Sequence, residues 1–256
     1  MADSSLDLNN PVTRQNWLLE QIQQGKTLIA KEAAEELGVS LDTIRRDLIA
    51  LEQQGALKRV KGGAIAGSVP ARPFIDRVKD ADTWLAGCQS SLQSLIESVD
   101  TLFLDGGTSI LKMANAIPVN SPITVITPSP VVATVLLERN IETILLGGRI
   151  HPSGAIATGA MTVRAIENIS ADMAVLGVCG LDSEFGLTAD DMAEAEVKFA
   201  MANQSRRVVV LASQQKLNKR SPYKVVAADR LDVVVTDATP EQVIGFAALD
   251  IEVINV

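Results

Sequence analysis

Arg45 and Arg46 stand side by side just after Thr43, and Lys58, Arg59 and Lys61 follow shortly, ahead of Gly62 and Gly63. A guanidinium fork can donate two hydrogen bonds at once to guanine O6 and N7, and neighbouring cations can hold phosphates. A second set lies downstream. Asp105-Gly106-Gly107-Thr108-Ser109 joins backbone N–H groups to two hydroxyls, a combination suited to an anion such as phosphate. Thr127 and Ser129, Gly147 and Gly148, and Gly180 with Asp182 repeat the pairing of glycine with short polar side chains. Glu194 and Lys198 are spaced i and i+4, so on a helix they share a face, where a surface ion pair is the plain alternative to a binding role. Lys216 adds one more cation.

The first set requires a helix with one buried and one open side. Leu41, Ile44, Leu48 and Leu51 recur at spacings of three, four and three, which predicts a helix from Leu41 to about Gln53 with those residues inward. Arg45 and Arg46, about 100° apart on it, then stay out of the core. Ser40 is a good N-cap for this helix, and Gly38 ends the one before, read as roughly Ala30 to Leu37 with Ala33, Ala34 and Leu37 inward. An earlier helix, Thr13 to Gln23, carries Trp17, Leu18 and Ile22 and stops at Gly25. Beyond Gly55, the alternation from Ala56 to Lys61 and the glycine pair predict a β-hairpin that adds a basic wing. Two helices joined by a short glycine-containing turn form a helix-turn-helix, whose second helix can enter the major groove.

The second set requires strand ends. Thr101–Leu104, Ile123–Ile126, Thr143–Leu146, Met173–Val178, Arg207–Leu211 and Val233–Val235 read as short buried strands, with helical stretches between most of them. That alternation predicts a doubly wound α/β domain with a parallel sheet. The polar glycine clusters follow several of those strands directly, and open α/β sheets take ligands at this carboxyl edge.

Charge is divided unevenly between the two parts. The 256 residues carry 23 basic and 31 acidic side chains, a formal net of -8. Up to Ser68 there are 8 basic and 9 acidic residues, net -1, which leaves 15 and 22, net -7, for the rest. Between Leu41 and Gly63 the balance turns to five basic against three acidic. The overall acidity therefore does not exclude a DNA partner; it leaves contact to depend on where the arginines point. A hydrophobic share of 47% fits a globular protein, and no apolar run nears the roughly 20 residues of a membrane span. The polar, acidic start does not resemble a secretory signal, so a cytoplasmic location is expected. Cys88 and Cys179 read as reduced thiols, and the single histidine, His151 in a His-Pro-Ser-Gly turn, argues against histidine-rich metal sites and most catalytic triads.

Leu28-Ile29-Ala30-Lys31-Glu32-Ala33-Ala34, then Leu37-Gly38-Val39-Ser40, Thr43-Ile44-Arg45-Arg46-Asp47-Leu48, Leu51, Gly55 and the Leu57 to Ala64 wing closely resemble the helix-turn-helix of the DeoR family of bacterial transcriptional regulators. The later motifs resemble that family's sensor domain, which is similar to sugar-phosphate isomerases such as ribose-5-phosphate isomerase. The resemblance implies a winged helix-turn-helix over residues 11–66, a linker over 67–82, and an α/β effector-sensing and oligomerisation domain over 83–256. It implies a DNA operator as partner, read by Ser40, Thr43, Arg45, Arg46, Lys58, Arg59 and Lys61. A phosphorylated sugar or related metabolite is implied at Asp105 to Ser109, Thr127, Ser129, Gly147, Gly148, Gly180, Asp182, Glu194, Lys198 and Lys216, in a homo-oligomer that needs no cofactor. This chain has Lys61 where the family usually has histidine, and Pro128, Cys179 and Ser213 where it often has asparagine, asparagine and aspartate, so an atypical effector is one expectation. The alternative is a sugar-phosphate isomerase with Asp105, Asp182 or Glu194 as base, although an isomerase has no need of a DNA reader.

Overall fold

The computed structural model describes residues 10–23, 28–53, 57–66, 74–79, 84–85 and 88–256. Gly25, Gly55 and the stretch 67–73 lie outside these residues. The chain divides into two compact units, Met1–Ala71 and Arg72–Val256.

In the first unit, α1 (Pro11–Gln23), β1 (Leu28–Ile29), α2 (Ala30–Glu36), α3 (Leu41–Gln53), β2 (Leu57–Val60) and β3 (Gly63–Ala66) follow one another. Gly38, at φ +64°, ends α2 with two bonds: its own N–H donates to Glu35 O and that of Val39 to Ala34 O. This is the left-handed helix ending that glycine adopts at least cost. Two residues later the Ser40 hydroxyl accepts the Thr43 N–H at 3.1 Å and starts α3. The turn is therefore built by local chemistry at both ends. Leu18, Ile22, Ala33, Ala34, Leu37, Ile44, Leu48 and Leu51 form one core, and Leu41 packs at its margin. Each large side chain buried there contributes about 1.5–3 kcal/mol. The hairpin gains a third strand that the sequence reading did not include, because β1 pairs with β3 in the order β1-β3-β2. Two residues are too few for an alternation to show.

The second unit is built on a seven-stranded sheet of parallel strands. Along the chain come α4 (Phe74–Lys79), α5 (Gln89–Leu95), β4 (Thr101–Leu104), α6 (Thr108–Ala116), β5 (Thr124–Thr127), α7 (Pro130–Glu138) and β6 (Thr143–Leu145). A small hairpin, β7 (Arg149–Ile150) and β8 (Ala157–Thr158), then precedes α8 (Ala160–Glu167) and β9 (Ala171–Gly177). The remainder is β10 (Gly180–Asp182), β11 (Gly186–Ala189), α9 (Met192–Asn203), β12 (Ser205–Leu211), β13 (Tyr223–Val226), β14 (Val233–Thr236), α10 (Pro240–Ala247) and β15 (Glu252–Asn255). Strand order in the main sheet is β15-β14-β12-β9-β4-β5-β6. From β4 the chain winds one way through β5 and β6, then returns to β9 on the other side of β4 and winds outward. The reversal lies between β4 and β9, where such sheets open a crevice.

Successive residues of β4 face opposite sides. Leu102 and Leu104 join a core with α5 and α6, while Phe103 joins another with α8 and α9. The six strands expected from sequence are all present, β4 with the expected ends and the others with at least one end shifted by one or two residues. Absent from those six are β15, the β7–β8 hairpin and the separate antiparallel sheet β10-β11-β13. Within the segment read as a linker, residues 74–79 form α4 instead. Phe74 is buried and its N–H donates to Pro152 O, which anchors the start of that helix. No helix among the described residues is long and apolar enough to cross a membrane.

Candidate DNA-reading surface and ligand pocket

On α3 the side chains divide as the spacing requires. Arg46 is exposed and makes no ion pair among the described residues. Arg45 is also exposed and pairs with Asp42 at 3.1 Å. An ion pair open to water on both sides is worth well under about 1 kcal/mol, so it leaves Arg45 free to exchange partners. Ser40 and Thr43 join their hydroxyls at 2.8 Å in the cap. Both hydroxyls are thus engaged in starting the helix, and Thr43 shares a face with Arg46, three residues on, while Arg45 lies on another side.

The wing lies beside this helix. Glu52 accepts the Arg59 backbone N–H at 2.9 Å and its Nε at 2.6 Å, which ties β2 to α3. Arg59 therefore positions the wing as well as charging it. Lys61 is exposed at the hairpin tip; Lys58 lies on β2, but its side chain is outside what is described. Lys31, Leu41, Arg45, Ile49, Arg59 and Val60 line a concave surface between helix and wing. The sequence reading missed what fixes α3 to α1: Asp47 is 4% exposed and receives both arms of Arg14 and the Gln15 amide.

In the second unit the carboxyl ends of β9, β4 and β5 bring their motifs together. Asp105 follows β4 directly and is fully buried, with Oδ2 accepting the Gly177 N–H at 2.9 Å. Lys198 reaches the same oxygen from α9 and donates also to Gly177 O at 3.1 Å. The surface pair of Glu194 with Lys198, the plain alternative to a binding role, gives way to an internal pair of Lys198 with Asp105. Sequence spacing shows which residues share a helix face but not that a sheet edge covers it. Burial alone would pull Lys198 down, yet Asp105 and then Glu194 outweigh it and its pKa is raised. Lys198 is a buried cation. Among the described residues, Asp105 Oδ1 has no hydrogen-bond partner although it is buried.

Around this pair the backbone comes very close. A side chain at Gly106 would collide with Ile156, and one at Gly154 would fall on the Glu194 carboxylate. Gly154, from the His-Pro-Ser-Gly turn, was not recognised from sequence; nor was Arg77 of α4, which donates to Ser153 O and acts electrostatically on Glu194. Thr108 and Ser109 open α6 half-buried, and among the described residues neither hydroxyl is engaged. The first N–H groups of that helix have no partner within it.

The other sequence candidates have partners of their own. Thr127 accepts the Ser129 N–H and donates its hydroxyl to Asp105 O at 3.4 Å, which keeps it beside the Asp105 group, whereas Ser129 caps α7 by accepting the Val132 N–H. Gly147 O accepts the Thr162 hydroxyl, and Gly148 packs on Thr158 and Thr162. Gly180 pairs with Thr188 in the small sheet. Asp182 is held in its own turn by Glu184 and Phe185 N–H groups and by Arg220 at 2.9 Å. Burial raises its pKa, but those donors outweigh burial and leave it lowered. None of its partners belongs to the Asp105 group. Lys216 is exposed on a 3₁₀ turn within electrostatic reach of Cys179, whose thiol burial pushes up to about 11. Burial thus favours the protonated thiol, the less nucleophilic form.

Glu194 titrates in a telling direction. Burial raises its pKa above the ordinary 4.5, Lys198 opposes, and Asp105 and Asp191 add to the rise. Its protonated form is favoured by folding, so the stability it supplies is complete below pH 4.5 and fades as pH rises through the raised value. Glu194→Gln should therefore match the parent near pH 4 and melt higher than it at pH 7. Melting curves across that range check this, and a variant less stable than the parent at pH 7 would contradict it.

Family models place known domains on both units. The DeoR-like helix-turn-helix domain matches residues 14–68, and the DeoR C-terminal sensor domain matches residues 90–238. The repressor GlcR of Bacillus subtilis is 32% identical over 231 residues, 88% of each chain. The glycerol-3-phosphate regulon repressor of Escherichia coli is 29% identical over 229 residues, 89% of this chain and 91% of that one. Among solved structures, ribose 5-phosphate isomerase A of Neisseria gonorrhoeae overlaps 50% of this chain and 49% of its own, with 14% identity and a TM-score of 0.36. A likeness so low carries no inference about chemistry.

Proposed function

This chain belongs to the DeoR family of DNA-binding transcriptional regulators, and from that premise we propose that it is a cytoplasmic repressor whose operator affinity answers to a phosphorylated sugar or similar metabolite. The observation that carries the sensing half is Asp105 Oδ1, buried without a partner among the described residues at the point where the sheet reverses, in the same strand-to-helix turn as Thr108 and Ser109. A phosphate facing Asp105 and Glu194 would be repelled by both. The ligand is therefore oriented with its phosphate on the α6 N-terminus and its sugar hydroxyls donating to Asp105 and Glu194, with Lys216 as an outer cation. Relatives named for glycerol-3-phosphate and for repression support this reading. The same carboxylates would serve an isomerase, but a DNA-binding head argues for regulation.

Melting the full chain with a panel of sugar phosphates tests the sensor, because a ligand at 100 times its Kd adds about 2.7 kcal/mol. No shift with any of them would remove the proposal's support, and isomerised product in the same mixtures would favour the enzyme.

For the head, the reading assigns Arg46 and Thr43 to bases, Arg45 to bases or phosphate, and Lys58, Arg59 and Lys61 to phosphates. Arg46→Ala should weaken binding by about 1–3 kcal/mol and relax specificity, whereas Lys61→Ala should weaken binding to all sequences and lower the salt slope by about one. Equal losses on operator and scrambled duplex for Arg46→Ala would refute base reading. Since one head spans few bases, a homodimer or tetramer joined through the sensor unit is part of the proposal, checked by the solution mass of the operator-bound form.

A further inference from the structure

We infer that Arg14, on a different helix from the reading side chains, is a positioning residue for DNA recognition: its grip on Asp47 sets the rotation of α3 about its own axis. The inference rests on α3 being the helix that reads DNA. Arg14 and Asp47 are 5% and 4% exposed, too deep to touch a duplex themselves. The guanidinium donates through Nε to one carboxylate oxygen and through a terminal nitrogen to the other at 3.2 Å, and Gln15 adds a third bond at 3.1 Å. All three donors come from α1, and Asp47 is the residue next to Arg46.

Stability alone does not account for such a pair. A buried ion pair is often no better for folding than apolar side chains of the same volume. The apolar stripe of α3, Ile44, Leu48 and Leu51, holds the helix against the core, but apolar burial is non-directional. A planar fork on a carboxylate is directional, since hydrogen bonds weaken steeply once bent. The lever is short but sufficient. Side-chain tips lie about 5–6 Å from a helix axis, so a turn of about 20° carries them about 2 Å, more than a bidentate contact to a base tolerates. Loss of the clamp would blur where Arg46 points while leaving the head charged and able to hold phosphates.

The test uses the full chain with a duplex that the parent protein enriches from a randomised pool, beside a scrambled duplex of equal composition. Arg14→Lys keeps the charge and loses the fork. It should stay folded, bind the enriched duplex about tenfold or more weakly, and keep its affinity for scrambled DNA and its salt slope. Arg14→Met with Asp47→Leu guards against a folding defect: the apolar pair should fold and still fail to discriminate. Parental discrimination in either folded protein overturns the inference, and so does a double variant that does not fold, because the pair would then serve the fold alone. Arg46→Ala separates the two levels. If it too retains discrimination, α3 is not the reader; if it loses discrimination while the Arg14 variants keep it, only the positioning role falls.

Discussion

Asp105→Ala is expected to destabilise the sensor unit by about 3–5 kcal/mol, because it removes the partner of the buried Lys198 ammonium. Gly177 N–H loses its acceptor in the same change. For a unit of this size the transition should fall by about 6–20 °C, read by calorimetry or by near-ultraviolet circular dichroism. Combining Asp105→Leu with Lys198→Met removes both charges and should recover most of that loss. The two proteins separate stability from sensing: the repaired one should be folded and unresponsive to sugar phosphates. A single variant within about 1 kcal/mol of the parent would mean that the pair is far better hydrated than its burial implies.

Gly63→Ala should nearly match that effect in the head. A β-carbon there would lie on the Leu28 carbonyl, and backbone on both sides leaves nothing flexible to yield. The expected loss is about 3 kcal/mol or more, with β1 parting from β3 and operator binding lost as the wing shifts. Gly62 makes the contrast. It has φ +90° and open space around it, so Gly62→Ala meets only the backbone preference, about 1–2 kcal/mol. Urea unfolding of both variants tests the distinction, and equal losses would show that the second glycine is not needed for close approach.

The glycine pair also shows how far sequence reasoning reaches. A glycine pair at this spacing predicts a turn, which describes Gly62; that Gly63 makes room for β1 depends on a strand of two residues paired across the chain. In the head, helix spacing, the Ser40 cap and the Gly38 stop act within a few residues, so α3 and its outward arginines were legible. The Arg14–Asp47 clamp was not, since residues 33 positions apart leave no periodic mark.

The same division runs through the sensor unit. Short apolar strands alternating with helices, and polar glycine turns at their ends, follow from local burial and turn preferences, so the amino-acid order alone determined an α/β sheet with candidate binding residues along one edge. Which candidates meet was decided by strand order. Because β9 returns beside β4, Asp105 faces Lys198 and Glu194, while Asp182 turns to Arg220 and Ser129 to its helix. Buried charges take whichever partner the packing brings within reach, and that choice is made between elements far apart in the chain.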